Sequence, residues 1–353
     1  MKRTKAAALV VLTITSIATA AMAAKLSNTV PALRETATNG TANESAFGVV
    51  VWAAADKANS RIIGAQPQGE IDLYDLNGAI VQRIGLKAPR ALDVRDQFYW
   101  LDGEGAILAA TDSSDASIAL FKLDPKTGMA SNKPRGRIRT SLRQISSVCL
   151  GKLGADHMVV AIGKNAKGAG EVHAWSLAID PWGDATGLKL GAFSLGAELS
   201  DCAVDDKTGA LYVAESNRGI WRLDIADSTG TDRKLIDSLS PEGKLTYPIN
   251  ALTVWSGGGQ SYVLASAGPD GKLTVYNGQN NRVMAQMNVG KAQKGKADAV
   301  SGGWGLGASG GDFGAEAPMG LVAIQDSQNT SPKRAANFKM VSFADIEKRI
   351  PFE

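Results

Sequence analysis

Histidine is almost missing from this 353-residue sequence, which has two, His157 and His173. Neither sits in a metal-binding or acid-phosphatase pattern, and both read as strand or surface positions. No Arg-His-Gly phosphatase signature, nucleophile elbow, P-loop or zinc motif occurs. Charge imbalance is small as well: 38 Lys and Arg against 35 Asp and Glu leave +3. That excludes the dense basic surface that nucleic acid requires. Beyond the N-terminal segment, no apolar run reaches the roughly 18 residues of a membrane helix. Helical periodicity is nearly absent too, and "FADIEKRI" close to the C-terminus is the only stretch that carries it.

Residues 1–23 are different. A basic start, "MKRTK", precedes an apolar core, "AAALVVLTITSIATA", and a small-x-small site ending at Ala23. This order is that of a cleavable signal peptide, so export to the periplasm or the medium is expected. Residues 24–44 are polar and are expected to form an irregular arm. Cysteine is as scarce as histidine, with Cys149 and Cys202 alone. Two buried free thiols are one reading. The favoured one is a disulfide, because the count is even, export leads to an oxidising compartment, and both cysteines lie in short apolar strands.

What the chain does have is glycine, 39 residues of it, among short apolar runs that end in polar turns. "EIDLYDLNG" (70–78), "SIALFKLDPKTG" (117–128), "EVHAWSLAIDPWG" (171–183), "GIWRLDIADSTG" (219–230), "KLTVYNGQN" (272–280) and "FKMVSFADI" (338–346) recur about every 50 residues. An earlier, smaller apolar strand precedes each: "RIIGA", "AILAATD", "MVVAIGK", "ALYVAES", "SYVLASAG" and "MGLVAIQD". Small residues there suit a crowded inner position. Six multi-stranded units predict an all-β, six-bladed β-propeller over residues 45–353 rather than a sandwich, which would lack the longer period. A monomer is expected.

Several stretches together resemble the β-propeller phytases, calcium-dependent phosphatases of inositol hexakisphosphate. They are "CAVDDKTGALYVAESNRGIWRLD" (202–224), "LTYPINALTVW" (245–255), "QSYVLASAGPDGKLTVYN" (260–277), "GAEAPMGLVAIQD" (314–326) and "NFKMVSFADI" (337–346). "SRIIGAQPQGEIDLYDLNG" (60–78) and "ALDVRDQF" (91–98) extend the resemblance to the N-terminal units. It implies calcium ions held by carboxylates at one channel mouth, with Lys and Arg around the phosphates and a metal-activated water as nucleophile. An inositol phosphate or another phosphorylated small molecule is the implied partner.

The residues that carry this chemistry in the family are mostly replaced. Where the family has an acidic pair before Trp52, this chain reads "AFGVVVW"; where it has an Asn pair, "APRAL". Ser146 stands for a Tyr, Ser200 and Asn250 for glutamates, and Ser216 for the second of two glutamates. The last acidic run has become "AVSGGWGLGASGG", whose glycine-rich part reads as a flexible loop. Basic residues are absent from "AQPQG", and Ser113 and Ser114 fall where an Arg is usual. Lys164 remains as a phosphate-binding candidate, and Asp93, Glu215 and Asp326 remain as metal candidates. Three of these have a plainer role: Lys164 as a solvated loop lysine, Asp326 as a turn cap, and Glu215 as a turn or cross-strand partner of Arg218 or Arg222. The resemblance therefore implies either a weakly active or non-catalytic propeller that binds phosphorylated ligands or a protein partner, or an active 3-phytase with a divergent calcium site.

Overall fold

A computed structural model describes residues 28–38, 47–66, 68–330, 333 and 336–351, so the segment read as a signal peptide lies outside the described residues. Two short strands come first, β1 (Thr29–Pro31) and β2 (Arg34–Glu35). Blade one comprises β3 (Val49–Trp52), β4 (Arg61–Gln66), β5 (Glu70–Tyr74) and β6 (Ile80–Gly85). Blade two comprises β7 (Pro89–Trp100), β8 (Gly103–Asp112), β9 (Ser117–Asp124) and β10 (Met129–Ala130), with β11 (Arg137–Arg139) also on β9. Blade three is β12 (Gln144–Leu153), β13 (Asp156–Lys164), β14 (Gly170–Ile179) and β15 (Ala185–Ser194). Blade four is β16 (Leu199–Asp205), β17 (Ala210–Glu215), β18 (Gly219–Asp224) and β19 (Lys234–Ser238). Blade five is β20 (Ile249–Gly257), β21 (Gln260–Ala267), β22 (Lys272–Asn277) and β23 (Val283–Gly290), with β1 added parallel to β23. Blade six is β24 (Gly302–Ser309), β25 (Leu321–Asp326) and β26 (Asn337–Ser342), completed by β2 antiparallel to β26. The helix α1 (Phe343–Glu347) follows.

The first strands of the blades touch in sequence around a ring, β3, β7, β12, β16, β20, β24 and back to β3. This is the expected all-β, six-bladed propeller. The strands expected innermost, such as "RIIGA" and "ALYVAES", are instead the second of each blade. β4, β17 and β25 are buried along their whole length. Their small apolar residues answer to blades packed against both faces, not to the channel, whose wall can be polar. "WGLGASGG" (304–311) is likewise mostly no loop: its first six residues lie within β24, the innermost strand of blade six. Neighbouring backbone selects its glycines, since a Cβ on Gly305 would sit 2.2 Å from the Phe47 carbonyl oxygen.

The apolar core is divided among the seams between blades. Between blades one and two, Ile63, Leu73, Leu108 and Phe121 are fully buried together. At the closing seam, Ile62 and Tyr74 of blade one meet Ala323 and Phe338 of blade six. That seam leaves no room at Gly64, where a Cβ would fall 2.2 Å from the Phe338 ring. Inside the ring, Cys149 on β12 and Cys202 on β16 form the expected disulfide, with Cα atoms 5.9 Å apart. Closing a loop over a separation of 53 residues stabilises the fold by about 4 kcal/mol in the chain-entropy treatment.

The stretch expected as an irregular arm is ordered across its described residues, 28–38, because β2 supplies the strand that blade six lacks. Glu35 pairs with Lys339 in the ladder and its carboxylate meets the Lys339 ammonium. Lys339 is fully buried. Its Nζ also lies 2.5 Å from Asp298 Oδ1 and 3.1 Å from Asp326 Oδ2. The side-chain oxygens of Asn337 and Asn329 accept from it at 3.1 and 3.2 Å. Burial alone would lower the lysine pKa, but hydrogen bonds to Asp298 and Glu35 and the Asp326 charge hold it above the usual value.

Lys339→Met should therefore strand three carboxylates where β2 joins blade six and cost about 3–5 kcal/mol. Urea unfolding checks this: the midpoint should fall with the slope unchanged, and an unmoved midpoint would count against closure by this ammonium.

Candidate functional site

The six innermost strands enclose a central channel of about 450 Å³. At the mouth where these strands begin stand Phe47, Arg90, Gln144, Glu198, Asn250 and Trp304. The ends of the second strands open there too, which brings Lys164, the last residue of β13, to the same wall. Lys164 is half-buried, and its ammonium has no ion-pair partner among the described residues. The Arg90 guanidinium lies 5.5 Å from the centre of the Phe47 ring.

Deeper in the channel stand Asp93 and Asp201. Asp93 Oδ1 accepts from the Val94 backbone at 2.7 Å and from Arg95 at 2.8 Å. Its Oδ2 accepts from Leu150 N–H of the next blade at 2.7 Å. Asp201 repeats the arrangement two blades on. Its Oδ1 accepts from the Ser147 hydroxyl at 2.5 Å and Cys202 N–H at 2.9 Å, and its Oδ2 from Leu252 N–H at 2.8 Å. Arg95 continues to Asp206, 2.9 Å away, so it is tied within the wall. Asp201 carries this bracing role without having stood out among the candidates; its only sequence signal is a position beside Cys202 in a strand that lines the axis.

The other metal candidates are engaged elsewhere. Glu215 ends β17 and is buried. Its oxygens accept from Ala197 N–H at 3.0 Å and the Trp221 indole at 2.9 Å. Those are its side-chain partners; Arg218 meets Glu215 across the turn through the backbone, its N–H donating to the Glu215 carbonyl at 2.9 Å, while its guanidinium lies 4.9 Å from the centre of the Trp221 ring. Asp326 is fully buried; its Oδ1 accepts from the Ser301 hydroxyl and backbone at 2.9 Å, and its Oδ2 faces Lys339. The histidines are buried strand residues. His157 Nε2 lies 2.9 Å from the Asp96 carbonyl, and His173 Nε2 lies 3.0 Å from Glu171.

A cluster of calcium ions needs about six oxygen ligands per ion, several of them anionic and free. The carboxylates here face protein donors, and no group of three His, Cys, Asp or Glu among the described residues is arranged to hold a metal ion. Of the acids lining the channel, Glu198 alone has no protein donor among the described residues. The donor set therefore does not fit such a centre. No described helix is long and apolar enough to cross a membrane.

The sequence model described as Phytase matches residues 1–351. The chain belongs to the phytase family. Across 303 residues it is 26% identical to the 3-phytase of Bacillus subtilis (strain 168), covering 82% of this chain and 77% of that protein. Calcium dependence is a property of the family. In this phytase-family member, the strands and seams of the propeller are kept while the channel carboxylates brace one blade to the next.

That bracing has a pH signature. Burial raises Asp201, three hydrogen bonds oppose this, and the Asp93 charge adds to it, leaving Asp201 pushed up to about 6. A carboxyl whose folded pKa exceeds its unfolded one binds its proton more tightly when folded. Its penalty to stability is full above about pH 6 and shrinks as pH falls toward the ordinary 3.8. Lowering pH from about 7.5 to about 5 should thus favour the parent over Asp201→Asn in unfolding free energy. A difference between the two that ignores pH would contradict this.

Proposed function

We propose that this chain is an exported phytase-family propeller, weakly active or inactive as a phosphatase, that holds a phosphorylated small molecule at the channel mouth. The observation that carries the reading is the commitment of Asp93 and Asp201 to donors from adjoining strands. Metal-assisted hydrolysis of a phosphate ester needs free carboxylates to place the ions and ionise a water. Each phosphate of inositol hexakisphosphate brings roughly −1.5 to −2 charges. Against that, the mouth offers Lys164 and Arg90, with Glu198 opposing them. This suffices for anion binding, weakening with salt, and falls short of what transition-state stabilisation demands, where each 1.4 kcal/mol withheld is about tenfold in rate. The basic and apolar start of the chain supports export to the periplasm or beyond, and the disulfide accords with an oxidising compartment.

The test is phosphate release from inositol hexakisphosphate with calcium added and with calcium chelated. Release at background is expected in both, while phosphate binding should weaken in Lys164→Ala. Vigorous turnover that needs calcium would overturn the reading in favour of an active 3-phytase with a divergent metal site.

A further inference from the structure

Strand β24 makes a wider excursion than the bulges near the starts of β7, β12, β16 and β20. Between the ladder pairs Gly302↔Asp326 and Leu306↔Ile324, three residues of β24 face one of β25. Gly302 and Gly303 permit this through φ values of +91° and +68°, a region that side chains disfavour. Space demands glycine as well, because a Cβ on Gly303 would lie 2.4 Å from Ser266 Oγ and 2.8 Å from Gly271 Cα. The excursion carries Trp304 into the channel mouth, where it is 50% exposed. Its backbone N–H donates to the side-chain oxygen of Gln325 at 3.0 Å, and Gln325 is fully buried. The Trp304 backbone is thus fixed, and its side chain stands at the mouth, half exposed to water.

Beside it, on blade five, Asn250 is 5% exposed. Its Nδ2 donates to the carbonyls of Gly268 at 3.0 Å and Gly302 at 2.8 Å, which fixes the amide. Asn250 Oδ1 is left buried with no donor, in a residue that lines the channel. A buried acceptor without a donor is a place for a ligand O–H or N–H. Lys164 belongs to blade three, opposite blade six in the ring, and Arg90 to blade two, opposite blade five. One side of the mouth is therefore flat and hydrogen-bonding, and the other is cationic.

We propose that the mouth takes a monophosphorylated ring compound. One face of the ring stacks on Trp304, a ring hydroxyl or N–H donates to Asn250 Oδ1, and the phosphate meets Lys164 and Arg90. The charges present suit one phosphate rather than six, and a cavity of about 450 Å³ lies in the range of small-molecule sites. Sugars and cyclitols offer a C–H face and nucleobases a π face, so both satisfy the same chemistry. The inference rests on the phosphate-binding reading above and adds the ring.

Calorimetric titration of the full chain at low salt tests it, with inorganic phosphate, a cyclitol monophosphate and a nucleoside monophosphate as probes. At least one ring phosphate should bind about tenfold or more tighter than inorganic phosphate. Trp304→Ala should erase that advantage and leave inorganic phosphate unaffected, whereas Lys164→Ala should weaken every probe. The preferred probe identifies the ring. Phosphate binding with no gain from a ring, or a gain that survives Trp304→Ala, overturns this proposal and leaves the phosphate reading standing. Failure of all probes to bind overturns both.

Discussion

A ring of blades is stable only if its two ends meet, and here they meet around one ammonium. Lys339 joins β2, near the start of the chain, to β25, β26 and the loop before β24 through Glu35, Asp326, Asn337 and Asp298. Bringing residues 304 positions apart together costs little more entropy than a shorter closure, since each doubling adds only about 0.6 kcal/mol. The electrostatics are more exacting. Three carboxylates packed at a seam repel one another, and burial favours none of them charged unless a cation stands between. The ammonium ties β2 to blade six and to the loop that follows blade five, while the apolar seam of Ile62, Tyr74, Ala323 and Phe338 brings blade six onto blade one.

Closure also decides what the channel can do chemically. Blades packed on both sides bury the second strands, so the channel takes its polar groups from the innermost strands and from strand ends at the mouth. On those strands the polar groups serve as inter-blade braces. Asp93 joins blades two and three, the disulfide and the Ser147 to Asp201 hydrogen bond join three and four, and Asp201 joins four and five. A carboxylate saturated by amide and hydroxyl donors has its charge already dispersed, and a cation arriving there would have to displace those bonds. The mouth is left with side-chain cations on one side and Trp304 on the other, a distribution suited to holding a ligand more than to cleaving it.

Much of the architecture was legible in the sequence because it depends on patterns that repeat. The recurrence of apolar strands about every 50 residues marks six blades, and the two cysteines in short apolar strands mark the disulfide. The order of strands within a blade was not, since burial on both faces and crowding at an axis select the same small apolar residues. "WGLGASGG" misleads for a related reason: glycine chosen by close backbone approach at Gly305 looks the same as glycine chosen for flexibility. The closing strand at Arg34–Glu35 is too short to carry any alternation. At the site, the replacement of acids could be read along the chain by resemblance, but what the remaining acids do could not. Asp93, Glu215 and Asp326 take their partners from other strands and loops, at Leu150, Ala197 and Lys339, and such pairings exist only once the ring is formed.

If the channel carboxylates brace the blades, as proposed, they are unavailable to a calcium centre. Titrating the metal-stripped protein with calcium by calorimetry tests it most directly, since it reads ligand availability whatever the substrate. No saturable uptake of several ions per chain is expected, and no change in melting temperature on adding or chelating calcium. Tight uptake of several calcium ions, accompanied by a marked rise in melting temperature, would contradict it.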